Sequence, residues 1–254
     1  IKMLKQILLF ALISSLCAYD MTAGKRLIWS DEFGGNSLDQ SKWVYEYGNG
    51  DGWGNNELQY YTNSYSNCYV NGGMLHIRAK REDMYGFRYT SSRIKTLGKF
   101  SFTYGYVEAR MKLPFCNGIW PAFWMLGVNI NSVGWPKCGE IDIMEAVNRE
   151  GKVYATNHWD EYGHSMYGNS SGNFDVTQFH TYALDWTYKY VRVYVDGNKI
   201  HEMDIEGGKG GTEEFHKPFF FLLNVAVGGS WPGYNIDEYA LPQELVVDYI
   251  RVYQ

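Results

Sequence analysis

The chain has 254 residues, a length that suits one large domain, with 17% aromatic residues and only four cysteines. Its formal net charge is −5 and no stripe of Lys and Arg appears, which excludes a protein that tracks nucleic-acid phosphates and leaves a neutral polymer as the better partner. The 22 Tyr and 9 Trp suit β-strands, and equally a surface on which sugar rings stack.

Residues 1–18 read as a secretory leader. Lys2 and Lys5 supply a basic start, and the apolar run that follows is too short to span a bilayer comfortably. Met3 is the expected true start and cleavage is expected after Ala18, although Leu16 is a poor fit to a cleavage site; a lipid anchor on Cys17 is the alternative. The remainder, 19–254, shows no repeat, linker or shift of composition and reads as one module. The expected form is therefore a secreted monomer with no membrane contact once the leader is gone. Cleavage would leave Cys68, Cys116 and Cys138, an odd number that allows one bridge at most. Cys116 with Cys138 is the expected pair, because both flank strands of the cleft inferred below, and buried free thiols are the alternative. Asn169-Ser170-Ser171 is a glycosylation sequon if a eukaryote secretes the chain.

Strands are expected at 27–29, 43–47 and 57–61, with the Gly/Asn/Asp-rich 48–56 as loop. Residues 69–70 and 74–79 form a hairpin around Asn71-Gly72-Gly73. Further strands follow at 88–96, 104–113, 119–126, 140–147, 153–159 and 179–187. The segment 190–195 alternates cleanly and turns at Asp196-Gly197 into 199–205; 219–227 and 245–253 complete the series. No stretch after the leader has a helical period. Many short strands at regular spacing imply an all-β, two-sheet antiparallel sandwich or jelly roll, whose curved sheets offer one concave face to a polymer.

The segment Gly139-Glu140-Ile141-Asp142-Ile143-Met144-Glu145 concentrates the chemistry. On a strand Glu140 and Asp142 share a face while Ile141 and Ile143 point into a core. Strict alternation would turn Glu145 away, but a single bulge at Met144 returns it to the acidic face. Three neighbouring carboxylates resist simultaneous ionisation, so at least one pKa rises. A raised and an ordinary carboxyl side by side suit retaining glycoside hydrolysis, in which a nucleophile and an acid stand roughly 5 to 5.5 Å apart. The bland alternative is a sheet whose outward acids merely face water. No His/Cys spacing suits zinc, and neither a Gly-x-Ser-x-Gly elbow nor a phosphate loop is present.

Glu140-Ile-Asp142-Ile-Met-Glu145 resembles the bulged acidic signature of glycoside hydrolase family 16, and the text around it is similar to the laminarinase branch. The similar segments are Trp29 to Phe33, Trp53 to Tyr61, Ile119 to Gly127, Gly134 to Glu140, Gly228 to Gly233 and Val247 to Tyr253. The Phe115-Cys116-Asn117 turn departs from the Gly-rich version of the pattern. The resemblance implies a concanavalin A-like jelly roll with Glu140 as nucleophile, Glu145 as acid/base and Asp142 assisting; it assigns no cofactor to catalysis. Trp120 and Trp124 share a strand face, which the resemblance makes the cleft face and which could otherwise be core. Trp135 and Trp231, in Gly/Pro loops, would rim it. By resemblance Asn55 and Arg93 hydrogen-bond sugar hydroxyls, with a turn residue and a solvated charge as the alternatives. Glu57 would support Asn55, and His158 would face the acids from the next strand unless it is merely structural. Asp248, with backbone oxygens near Glu32 and Gly73, matches a structural calcium site, against the alternative of an ion pair with Arg251. The implied activity is endo-β-1,3-glucan hydrolysis, with β-glucan as partner. The alternatives are a lichenase, agarase or carrageenase relative, or a glucan-binding protein that does not cut.

Overall fold

A computed structural model describes residues 21–254, so the expected leader, its cleavage site and Cys17 lie outside it. In chain order the strands are β1 (Leu27–Asp31), β2 (Val44–Glu46), β3 (Gln59–Tyr61), β4 (Cys68–Asn71), β5 (Met74–Met84), β6 (Phe87–Ser91), β7 (Arg93–Lys95), β8 (Gly105–Lys112) and β9 (Ile119–Gly127). There follow β10 (Glu140–Glu145), β11 (Tyr154–Asp160), β12 (His164–Ser170), β13 (His180–Trp186), β14 (Tyr190–Val195), β15 (Asn198–Asp204), β16 (Phe219–Val227) and β17 (Gln243–Tyr253). Helix among the described residues is confined to Ile130–Val133 and three 3₁₀ segments, and no helix there is long and apolar enough to cross a membrane.

The strands form the expected two sheets. A 10-stranded sheet runs β15-β14-β13-β8-β17-β5-β6-β3, with β1 on β17 and β4 on β5. A 7-stranded sheet runs β12-β11-β10-β9-β16-β7-β2. Every pairing is antiparallel except β3 with β6. The inward residues of both sheets, among them Leu75, Val107, Phe123, Ile141, Phe221 and Val247, make one core. A smaller cluster of Leu126, Cys138, Phe220 and Leu222, with Trp124 packed on it, lies on the opposite face of the 7-stranded sheet. That second face carries the cleft.

The expected hairpin is β4–β5, where Asn71 pairs with Met74 across Gly72 and Gly73. Both glycines have positive φ, +60° and +75°, as a two-residue type I′ turn requires. Two expectations about the strands fail. The strand expected at 88–96 is two strands on different sheets, because the chain crosses the core at the buried Ser92. β12, where no strand was expected, is an edge strand exposed along most of its length.

The expected Cys116–Cys138 bridge is absent: Cys68, Cys116 and Cys138 are all free and buried. Cys116 precedes β9 and Cys138 lies beside its far end, bonding the Gly139 carbonyl. Nine residues at about 3.3 Å each separate them, whereas a bridge needs Cα atoms within about 7 Å. Of the expected calcium donors, the Asp248 side chain is paired with a cation. Arg110 holds the Asp248 carboxylate at 2.5 Å, while Arg251, the expected partner of Asp248, forks onto Glu32 at 2.7 Å and 2.9 Å. Gly73 belongs to the hairpin turn.

Candidate active site

The register of β10 against β9 shows how the acids come together. Glu140 lies opposite Leu126 and Asp142 opposite Trp124, but Met144 lies opposite the next residue, Phe123, and Glu145 opposite Ala122. Ile143 and Met144 therefore share one partner position and both enter the core. This is the expected bulge, centred on the Ile143–Met144 pair, and it turns Glu145 onto the face of Glu140 and Asp142. The cleft beside them has a volume of about 980 Å³.

Each acid has a distinct partner. The Trp135 indole donates to Glu140 Oε2 at 2.7 Å, and the Trp120 indole donates to Glu145 Oε1 at 3.0 Å. His158, opposite Glu140 on β11, brings Nε2 to 3.2 Å from Asp142 Oδ2 and 4.0 Å from Glu140 Oε1. Burial pushes the pKa of Glu140 up to about 8, assisted by the charge of Asp142 and opposed by His158 and the Trp135 N–H. Burial also pushes Asp142 up to about 7. Glu145 is held well above the usual carboxylate range, by burial first and then by the charges of Asp142 and Glu140. The cluster thus keeps protons at a pH where exposed carboxylates have lost theirs.

The aromatic residues line this cleft rather than the core. Trp124 donates to Asn224 Oδ1 at 2.8 Å, which fixes its ring, and the Asn224 amide donates to the Tyr61 hydroxyl. Trp120 meets Trp231 edge to face at 5.3 Å, and Trp231 in turn meets Tyr154 at 4.9 Å. Trp135 and Trp231 are 49% and 39% exposed, as expected of a rim. Arg93 is buried, bonded to Glu46 at 2.5 Å and sandwiched between Trp53 and Trp124. It belongs to the cleft but is no solvated charge. Asn55 donates to Glu57 Oε1 at 3.4 Å, the support expected of Glu57, and the Asn55 carbonyl accepts from the Ser230 amide at 2.7 Å, which ties the Trp53 and Trp231 loops together.

The sequence did not reveal Tyr154, Thr156, His164, Met166 or Asn224 as cleft residues. Asn224 had a signal, since it is the one polar residue in the apolar run Phe219–Val227. His164 and Met166 had none, because both lie on the unrecognised β12. His164 Nε2 is 2.9 Å from His158 Nδ1.

A β-sandwich with three clustered acids on a bulged strand inside an indole-lined cleft is the architecture of a polysaccharide hydrolase. The model of Glycosyl hydrolases family 16 matches residues 54–251, and the chain belongs to that family. It is 45% identical over 232 residues to the clotting factor G alpha subunit of Tachypleus tridentatus, covering 90% of this chain but 34% of that protein. It is 43% identical to a beta-glucanase of Rhodothermus marinus, covering 90% of this chain and 85% of that one. The crystal structure of the laminarinase catalytic domain from Thermotoga maritima superposes with a TM-score of 0.83 at 44% identity, covering 91% and 98% of the two chains. The chain is laminarinase-like in both sequence and fold.

Proposed function

We propose that the chain is a retaining endo-β-1,3-glucanase that cuts laminarin-like and mixed-linkage β-glucans by double displacement. Glu140 attacks the anomeric carbon, and Glu145 protonates the departing oxygen and then activates water. Asp142 tunes both through its charge. The observation that carries this reading is the bulge at Ile143–Met144, which puts Glu145 beside Glu140 and Asp142 in an indole-lined cleft. The electrostatics support an acid at Glu145, which burial and the charges of Asp142 and Glu140 hold well above the usual carboxylate range, while the Trp135 N–H and His158 oppose the rise at Glu140. Trp120, Trp124, Trp135 and Trp231 offer sugar-stacking faces, and Asn55, Arg93 and His158 offer polar contacts. The relatives' names, a beta-glucanase and a laminarinase, support the polymer. The carboxyl pair needs no cofactor.

The same proposal has residues 19–254 as one catalytic domain, secreted through the leader and monomeric. On the convex side it has an Asp248–Arg110 ion pair in place of calcium, because the carboxylate already has its countercharge. Excess chelator is then expected to leave the Tm unchanged, and a fall would restore the ion. Substrate is tested by one product profile across laminarin, lichenan, agarose and carrageenan. Laminarin is expected to be cut fastest and lichenan more slowly, with little action on the other two. Faster release of reducing ends from agarose than from laminarin would overturn the assignment.

A further inference from the structure

We propose that the cleft also binds a divalent cation of the zinc and copper class through Glu140, Asp142 and His158, and that this ion reversibly shuts the site. One ligand atom from each residue lies within 4.8 Å of the other two. The Trp135 indole donates to Glu140 Oε2, and Oε1 lies on the side of His158. Asp142 is only 2% exposed, yet its Oδ2 accepts no hydrogen bond, although His158 Nε2 stands 3.2 Å away. A buried carboxylate oxygen beside an imidazole nitrogen, close but not hydrogen-bonded, is the relation of two ligands of one ion. Tetrahedral zinc with bonds of about 2.0 Å holds its ligand atoms about 3.3 Å apart. The 4.0 Å between His158 Nε2 and Glu140 Oε1 closes to that value with a small rotation of the carboxylate.

His164 completes the arrangement. When His158 donates its Nδ1–H to His164 Nε2, 2.9 Å away, the lone pair of His158 stays on Nε2 and faces the two carboxylates. That tautomer also accounts for the missing hydrogen bond at Asp142 Oδ2. A second residue that fixes the orientation and tautomer of a ligating histidine is the usual support of such sites. One nitrogen and two carboxylate oxygens suit zinc and copper, whereas calcium and magnesium favour all-oxygen shells of higher coordination number. The fourth position opens on the cleft. Occupancy would neutralise Glu140 and cover the place where the anomeric carbon must approach, so the inhibitory half of the proposal rests on the hydrolase reading above.

Binding is tested by calorimetry on the full chain with zinc chloride in a non-chelating buffer. One site per chain is expected, weakened at least tenfold in His158→Gln and also in Glu140→Gln, which guards against misfolding of either variant. Copper(II) bound to the wild type should show nitrogen coupling from one imidazole by electron paramagnetic resonance, lost in His158→Gln. Zinc should raise the apparent KM for laminarin, with reversal by chelator, and calcium at the same concentration should not. Unchanged zinc affinity in both variants would overturn the site. Zinc binding that depends on His158 in a chain that cuts no glucan would keep the site and sink the hydrolase reading; the reverse pair of results would do the opposite.

Discussion

Three neighbouring carboxyl groups on one strand, Asp142 buried and Glu140 and Glu145 half-buried, cost the folded protein most at high pH. The folded pKa of Glu140 is about 8 against an ordinary value of 4.5, and Glu145 is raised as well, so the folded state binds protons more tightly than the unfolded state. The penalty is absent below about pH 4.5 and grows as pH rises towards 8. Glu145→Gln, which keeps the shape and removes the charge, is expected to raise the Tm at pH 8 by about 3 °C or more and to change it little at pH 4, since about 1 kcal/mol moves a domain of this size by about 2–4 °C. A thermal scan showing an equal fall at both pH values would contradict this account of Glu145. At the residue scale the acids were legible because three carboxylates at 140, 142 and 145 in an otherwise apolar strand are unusual in themselves. His164 was not, since a lone histidine in a polar stretch carries no pattern, and its meaning comes only from its contact with His158.

Strand β10 is set by two features of its pairing with β9, the bulge at Ile143–Met144 and the close approach of Gly127 just before its start. A Cβ at Gly127 would stand 2.1 Å from the Cys138 carbonyl oxygen, two residues before Glu140. Gly127→Ala must therefore push back the start of β10. The expected result is a Tm lower by several degrees and a fall in kcat of at least tenfold, because Glu140 moves relative to the substrate. A Tm and kcat equal to wild type would show that the β9–β10 approach is looser than the structure has it. The strands with clean alternation or β-rich runs, such as β14 and β16, were readable. β12 was not, because an edge strand open to water on most of its length has no apolar face to alternate with a polar one. The β6–β7 split was hidden for a related reason: 88–96 is extended throughout, and nothing in an extended stretch marks the residue where it leaves one sheet for the other.

At the scale of the molecule, the 10-stranded sheet is tied by side chains as well as by its ladder. Glu244 of β17 accepts from Tyr69 of β4 at 2.9 Å, and from His76 and Arg78 of β5 at 2.9 Å and 2.5 Å. These bonds, His76 first, pull its pKa down to about 2. A depressed carboxylate stabilises the fold above its ordinary pKa, and the gain is lost as pH falls from about 4.5 towards 2. Glu244→Gln should lower the Tm by about 2–4 °C at pH 7 and hardly at all at pH 2.5; a pH-independent loss would assign Glu244 a packing role alone. The two-sheet architecture was legible from strand spacing, whereas the pairing order across the sheets was not, since it depends on contacts remote in sequence. On the proposed reading the sandwich holds Glu140 and Glu145 at one anomeric carbon in different roles, and one measurement tests that directly. Glu145→Ala is incubated with an activated aryl β-glucoside of laminaribiose and digested for peptide mass spectrometry. Attack needs little acid with such a leaving group, while hydrolysis of the intermediate lacks its base, so a glycosyl adduct should accumulate on Glu140. An adduct on another residue, or release of aryl alcohol at an undiminished steady rate with no adduct, would contradict the assignment.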